Sequence, residues 1–472
     1  MPLHELSRLD FSRRLLARDP SLWPGDPKAI RNRLGWLGLP EALPAMLEGL
    51  KGFRNELAAA GLSRVLVLGM GGSSLFARVC GAGVLDTVSP GAVSRLGNAE
   101  GSLIVVASKS GTTTEVMALY RHFAGVIRDP SRFVAVTDPG TPLETLARKE
   151  GFRRVFLSPP DVGGRYSALS VFGLLPAALA GTVDGWNESV TREWLTPGMA
   201  LGAWLAESAL AGRDKLTLLL PPGTEDFGNW IEQLVAESLG KDGKGLLPVL
   251  GESAGPWWKP DRAFLAYGDM EAPAGAFRLP AFGFHRLPEE CLRWEVAVAA
   301  AAALIGVNPF DEPDVASSKD MTRRILAGDL KPTGPTASME MLLTPSRPGG
   351  YLAILAFLDP TPETDAALAA LRKVLRRRLE VPVTLAYGPR YLHSTGQCHK
   401  AGPADQGRFL LLTADPLQDL PVPGEGFTLG GLLKAQALGD LAALEPRGRK
   451  ASLLALPPDA AAGILDLARR LG

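Results

Sequence analysis

Between residues 64 and 158 short apolar runs alternate with stretches of helical period, and this alternation restricts the fold more than any other feature of the chain. RVLVLG (64–69) is followed by a helix beginning near Ser73, SLIVVAS (102–108) by TTTEVMALYRHFAGVI, and RFVAVTD (132–138) by TPLETLARKEG; RVFLS (154–158) comes next. In the second of these helices Val116, Leu119, Tyr120, Phe123 and Ile127 fall on one face. Unbroken runs of Val, Ile and Leu are what parallel strands need when helices cover both faces of their sheet. Repeated strand–helix units of this kind predict a doubly wound α/β domain.

A second alternation starts near residue 213. KLTLLLPPG leads into DFGNWIEQLVAESLGK; RAFLAYG, YLAILAFLD, VPVTLAYG, FLLLT and KASLLALP read as further strands, and DAAAGILDLARRLG as a closing helix. The expected layout is a helical N-terminal arm over 1–63, a first parallel-sheet domain over 64–190 and a second over 191–472, each a three-layer α/β/α unit. The segment 181–194 is expected to connect the two halves. A chain of 472 residues is long enough for two or three domains with their own cores.

Lys and Arg together number 50, as do Asp and Glu, so the formal net charge is zero. No whole-chain basic field exists to hold nucleic acid. The longest apolar run, VAVAAAAALIGV (296–307), falls short of a membrane span, which needs roughly 20 residues, and reads as a buried helix. The N-terminus lacks a signal-peptide layout. Cys80, Cys291 and Cys398 form neither a disulfide framework nor a metal-ligand spacing. These features predict a cytoplasmic protein without membrane partners.

Two strand-to-helix turns carry the first chemistry. GMGGSS (69–74) and SKSGTTTE (108–115) combine small residues with hydroxyl side chains. Small residues let a ligand approach the backbone, and the unpaired N–H groups at a helix start attract anions. Helix capping alone accounts for one such turn. Two in succession point to a phosphate at the carboxyl ends of the strands. Ser74 stands where a dinucleotide fingerprint needs its third glycine, and SKSGTTTE lacks the order of a Walker A loop.

Four further stretches stand out. DVGGRYSALS (161–170) has two glycines that suggest a tight backbone aiming Arg165, although a lone GGR reads more readily as a surface turn. In WIEQLVAESLGKDGKG (230–245), Glu237 sits in the last helical turn, unfavourable for an anion. VNPFDEPDVASSKD (307–320) holds Glu312 and Lys319. YLHSTGQCHKAGP (391–403) holds two of only five histidines, His393 and His399, with Cys398 between them. No helical His pair or carboxylate partner accompanies the histidines as a metal site would require.

The six stretches together resemble the motifs of glucose-6-phosphate isomerases, over about residues 15 to 457, and are most similar to the isomerase half of bacterial transaldolase/glucose-6-phosphate isomerase fusions. The resemblance implies two sugar-isomerase (SIS) domains with an arm, a homodimer with shared active sites, a sugar-phosphate substrate, and no metal or other cofactor. It implies that Ser73, Ser108, Ser110 and Thr113 bind the substrate phosphate, with Gly72, Lys109 and Thr112 in the same turns, and that Gly164 and Glu312 also contact substrate. By the same resemblance Arg165 lies beside the reacting carbons, Glu237 is the base, and Lys319 and His393 open the sugar ring, with His399 as the alternative histidine. The activity implied is interconversion of glucose 6-phosphate and fructose 6-phosphate through a cis-enediol. A dual phosphoglucose/phosphomannose isomerase and a non-catalytic sugar-phosphate regulator are the alternatives.

Two departures from the family pattern stand in the sequence. The histidine stretch follows the lysine stretch, as in the fusion-type relatives, whereas in many members it precedes it. Glu312 occupies a position that is commonly Gln, and its carboxylate has Lys319 as one candidate partner. GDMEA (268–272) resembles the surroundings of the base in some members, but EQLVAESLGK matches more positions, which favours Glu237 over Glu271.

Overall fold

The first alternation folds as its apolar runs require. The computed structural model describes residues 2–472 except 98, 100, 187–189, 191, 253–257, 331–333, 335, 336, 345–348 and 404–406. Five parallel strands form the first sheet: β1 (Arg64–Leu68), β2 (Gly83–Leu85), β3 (Ser102–Ala107), β4 (Phe133–Thr137) and β5 (Arg154–Leu157), in the order β2-β1-β3-β4-β5. Central β3 is buried along its whole length, with Leu66 opposite Ile104 on one side and Val134 opposite Val105 on the other. The strand order reverses between β1 and β3. In open α/β sheets the crevice beyond the strand ends at such a point is where ligands bind.

The second alternation is also parallel α/β, but its strands form two sheets where one was expected. β6 (Lys215–Leu219), β7 (Leu247–Val249), β8 (Arg262–Tyr267) and β9 (Phe277–Leu279) pair in the order β7-β6-β8-β9. β10 (Tyr351–Phe357), β11 (Val383–Tyr387), β12 (Gly407–Ala414) and β13 (Lys450–Leu456) pair in the order β11-β10-β12-β13. Both repeat the order of the first sheet, with the second strand outside the first. The edge strands β7 and β9 have three residues each, too short an edge to template another long strand. Between β9 and β10 the chain runs through the helix Leu287–Ile305, in which Val296 to Ala302 are wholly buried, and β10 begins a new layer. This is the apolar run of 296–307. No helix among the described residues is long and apolar enough to cross a membrane.

The region before β1 is helical. In Leu39–Ala59 the residues Leu43, Leu47, Leu50, Phe53 and Leu57 recur at three or four positions and are buried; each such burial stabilises by about 1.5–3 kcal/mol. The region packs closely on the rest of the chain. The Trp23 indole donates to the Ala299 carbonyl at 2.8 Å, and its ring meets Phe310 edge-on with centroids 5.0 Å apart. Gly35 N–H donates to the Asp161 carbonyl at 2.9 Å, next to the GGR turn. The connecting segment 181–194 falls partly outside the described residues.

Candidate active site

The turns that follow β1, β3 and β5 converge on a cavity of about 510 Å³. Its wall is completed by the helix Glu225–Leu239 after β6, the loop at 310–312, the helix Val315–Leu326 and the turn after β11. Eleven of the thirteen residues singled out in the sequence line it: Gly72, Ser73, Lys109, Ser110, Thr113, Gly164, Arg165, Glu237, Glu312, Lys319 and His393. Two do not. Ser108 is buried beneath the turn, its Oγ 2.8 Å from Thr113 Oγ1. Thr112 is 3.0 Å from Ser110 Oγ and faces a neighbouring cavity of about 290 Å³.

The glycines of GMGGSS allow this convergence. Gly71 adopts φ +54°, and a Cβ there would meet the His393 carbonyl at 2.5 Å. At Gly72 a Cβ would lie 2.1 Å from the Gly164 carbonyl. Any side chain at either position would push the first turn away from the arginine turn or the histidine turn. Ser110 and Thr113, which also line the cavity, immediately precede the helix Thr114–Val126, and the unpaired N–H groups of a helix start favour an anion. The Lys109 ammonium pairs with the Asp138 carboxylate at the rim.

Arg165 organises the carboxylates of the lining. Its Nε donates to Ser238 Oγ at 3.0 Å, and its Nη2 to the carbonyls of Asp311 and Pro309 at 2.6 and 3.1 Å. Its Nη1 then serves two carboxylates, Glu312 Oε2 at 2.9 Å and Glu237 Oε1 at 3.3 Å. Glu312 therefore pairs with Arg165 and not with Lys319. Burial works against the guanidinium charge, but Glu237 and Glu312 outweigh it and keep Arg165 ionised. Burial pushes the Glu237 carboxyl above the usual range; Arg165 opposes this and Glu312 adds to it. Gln233, one turn earlier on the helix, donates to Glu237 Oε2 at 3.1 Å and to the His393 carbonyl at 2.8 Å.

The two histidines have different settings. His393 Nε2 lies 3.0 Å from Glu115 Oε1, which also accepts from Gln436 Nε2 at 2.6 Å. Burial would raise the Glu115 carboxyl, but the charge and hydrogen bond of His393 more than offset it and hold it below the usual range. His399 lies behind the cavity wall among Tyr351, Tyr391 and Phe409, with Nδ1 3.0 Å from the Tyr351 hydroxyl. Burial lowers its pKa to about 3. Cys398 is buried, and its thiol is pushed up to about 12 by burial. Glu271 is exposed and outside the cavity.

Several residues at the site were not read from the sequence. Glu115 was quoted as the last residue of the hydroxyl turn, but an acid in the first turn of a helix is ordinarily a response to the helix dipole. Lys241 follows the base's helix; its buried ammonium reaches Asp311 Oδ1 at 2.6 Å, and burial with the neighbouring Arg165 charge lowers its pKa to about 8. Arg33 comes from the N-terminal region, which packs beside the GGR turn. Nothing in the local sequence marks it.

No family model matches the chain. Over 314 residues it is 29% identical to the glucose-6-phosphate isomerase of Rubrobacter xylanophilus, covering 51% of this chain and 70% of that protein. Over 286 residues it is 29% identical to the glucose-6-phosphate isomerase of Listeria monocytogenes, covering 45% of this chain and 63% of that protein. The chain thus spans about two thirds of the length of these relatives. In fold it is similar to the crystal structure of a hypothetical protein from Thermus thermophilus, with a TM-score of 0.54 and 24% identity over 69% of this chain and 96% of that one. The relatives agree with the motif resemblance: the chain is a sequence relative of the bacterial glucose-6-phosphate isomerases.

Proposed function

We propose that this chain interconverts an aldose 6-phosphate and its ketose, with glucose 6-phosphate and fructose 6-phosphate as the substrate pair. The observation that carries the reading is that Glu237, Arg165, Lys319 and His393 line one cavity together with Ser110 and Thr113 of the hydroxyl turn. The names of the relatives support the same choice of substrate.

The residues divide the work by position. Ser73, Ser110, Thr113 and the helix start at Thr114 take the unreacting phosphate, whose binding energy orients the rest of the sugar. His393, held by Glu115, and Lys319 move the protons on the ring oxygen and the C1 hydroxyl that open the ring. Glu237 then removes the proton from C2 and returns it to C1 through a cis-enediol. Its raised pKa suits a base working near neutrality. Arg165 faces the oxygens on which negative charge develops. A carboxylate shuttle of this kind needs no metal ion.

The test is a coupled assay on glucose 6-phosphate and on mannose 6-phosphate, with chelator present. Formation of fructose 6-phosphate from the glucose ester supports the reading, and equal use of both esters would make the chain a dual-specificity isomerase. Tight binding of the sugar phosphates without turnover would contradict the reading and favour a regulator.

A further inference from the structure

One buried amide joins the elements that carry the cavity's reactive side chains. Gln397 ends the LHSTGQ stretch and is fully buried. Its Nε2 donates to Asp314 Oδ2 at 2.8 Å, and the Asp314 backbone N–H donates back to Gln397 Oε1 at 3.0 Å. A backbone N–H only donates, so this reciprocal pair fixes the orientation of the amide. The same Nε2 lies 3.5 Å from the carbonyl of Gly240, which ends the helix carrying Glu237. Asp314 immediately precedes the helix Val315–Leu326, which carries Lys319. His393 stands four residues before Gln397, which lies in the short helix Gly396–Ala401 that follows the histidine's turn. The end of the base's helix, the start of the lysine's helix and the histidine's turn therefore meet at one side chain.

The two oxygens of Asp314 are divided between partners. Oδ2 takes the Gln397 amide, and Oδ1 takes Arg447 Nη2 at 2.6 Å. Burial would raise the Asp314 carboxyl, but these bonds, with the Arg447 charge and a smaller contribution from Lys400, hold it below the usual range. Losing the amide would leave a backbone N–H and a carboxylate oxygen without this partner at a partly buried junction.

We propose that Gln397 is a positioning residue of the reaction, setting Glu237, Lys319 and His393 relative to one another without touching the substrate. Gln397 lines neither the main cavity nor its neighbour. The proposal rests on the isomerase reading above. Losing an outer hydrogen-bond partner costs roughly 10–100-fold at metal centres, and a loss of that order is expected here.

The test exchanges the two partners. Gln397→Glu sets a second carboxylate against Asp314 and should lower kcat by roughly 10–100-fold, with KM changed by less than about threefold. Asp314→Asn sets two amide donors together and should give a similar loss. In Asp314→Asn/Gln397→Glu the amide sits at position 314 and donates to the carboxylate at 397, while its oxygen still meets Arg447. The exchange restores the 314–397 pair but leaves a carboxylate near the Gly240 carbonyl, so this pair should regain at least about threefold in kcat over either single variant, a recovery that marks a direct interaction. Rates are expressed per site titrated at equilibrium with the sugar phosphate. A role confined to folding would reduce the number of sites and leave kcat per site unchanged, which would overturn the proposal. So would a double variant no better than either single one. Should Gln397→Glu alone not fold, Asp314→Asn against the double variant makes the same comparison. A parent chain with no isomerase activity would instead remove the reading beneath it.

Discussion

Glu312→Gln isolates the second carboxylate at Arg165. Glu312 Oε2 lies 2.9 Å and Glu237 Oε1 3.3 Å from the same guanidinium nitrogen. The carboxylates are thus no more than about 6 Å apart, where like charges at an effective dielectric near 20 repel by roughly 3 kcal/mol. The Glu312 side chain is 47% exposed, so solvent screening reduces this to about 1–1.5 kcal/mol. Burial raises Glu237, Arg165 lowers it and Glu312 raises it further. The substitution removes the like charge and leaves Arg165 to a single carboxylate, so Glu237 must titrate lower. The acid limb of kcat/KM reports the base in the free enzyme and should move toward acid. Initial rates of fructose 6-phosphate formation across the acid and neutral range measure it. A limb that stays in place, or moves to higher pH, refutes the reasoning.

Other predictions follow from the histidine side of the cavity. Glu115 is held below the ordinary glutamate value of 4.5, so its contribution to stability is complete above that value and lost as pH falls through the folded-state pKa. Urea unfolding of Glu115→Gln should therefore depend less on pH than the parent below that point, and an unchanged dependence would contradict it. His393→Ala should slow ring opening by roughly 100-fold or more, measured on the closed sugar. His399→Ala should keep activity per folded site and lose about 2–4 kcal/mol of stability in urea, because it removes a buried ring. The reverse pattern would exchange the roles of the two histidines. Because the four reactive side chains line a cavity of one chain, an assembly of Glu237→Gln and His393→Ala chains should regain no activity; recovery would show that subunits share the site.

The parallel α/β class was legible because strands buried on both faces leave unbroken apolar runs, as in β3 and β10. The division of the second half was not. Pairing between distant strands leaves little local signature, and the short β7 and β9 are hard to separate from loops. At the site, the hydroxyl turn was legible from small residues at a strand end, whereas the GGR turn by itself read as a surface turn and Arg165 was marked by the family resemblance. Glu115, Gln233 and Gln397 were not legible, since each matters through a partner 83 to 278 residues away in the chain. Glu312 was recognised as unusual, but its pairing with Arg165 depends on how the loop at 307–314 folds over the guanidinium. Arg33 depends on packing of the N-terminal region alone.

The central claim is that Glu237 carries the proton between C2 and C1 in this cavity, and exchange in deuterated water tests it most directly. Glucose 6-phosphate is incubated with the parent chain and with Glu237→Gln, and loss of the C2 proton signal is followed by NMR. The account predicts exchange with the parent chain and a fall of roughly 1,000-fold or more with Glu237→Gln, while the variant still binds the sugar phosphate. Exchange at the parent rate in Glu237→Gln would contradict it.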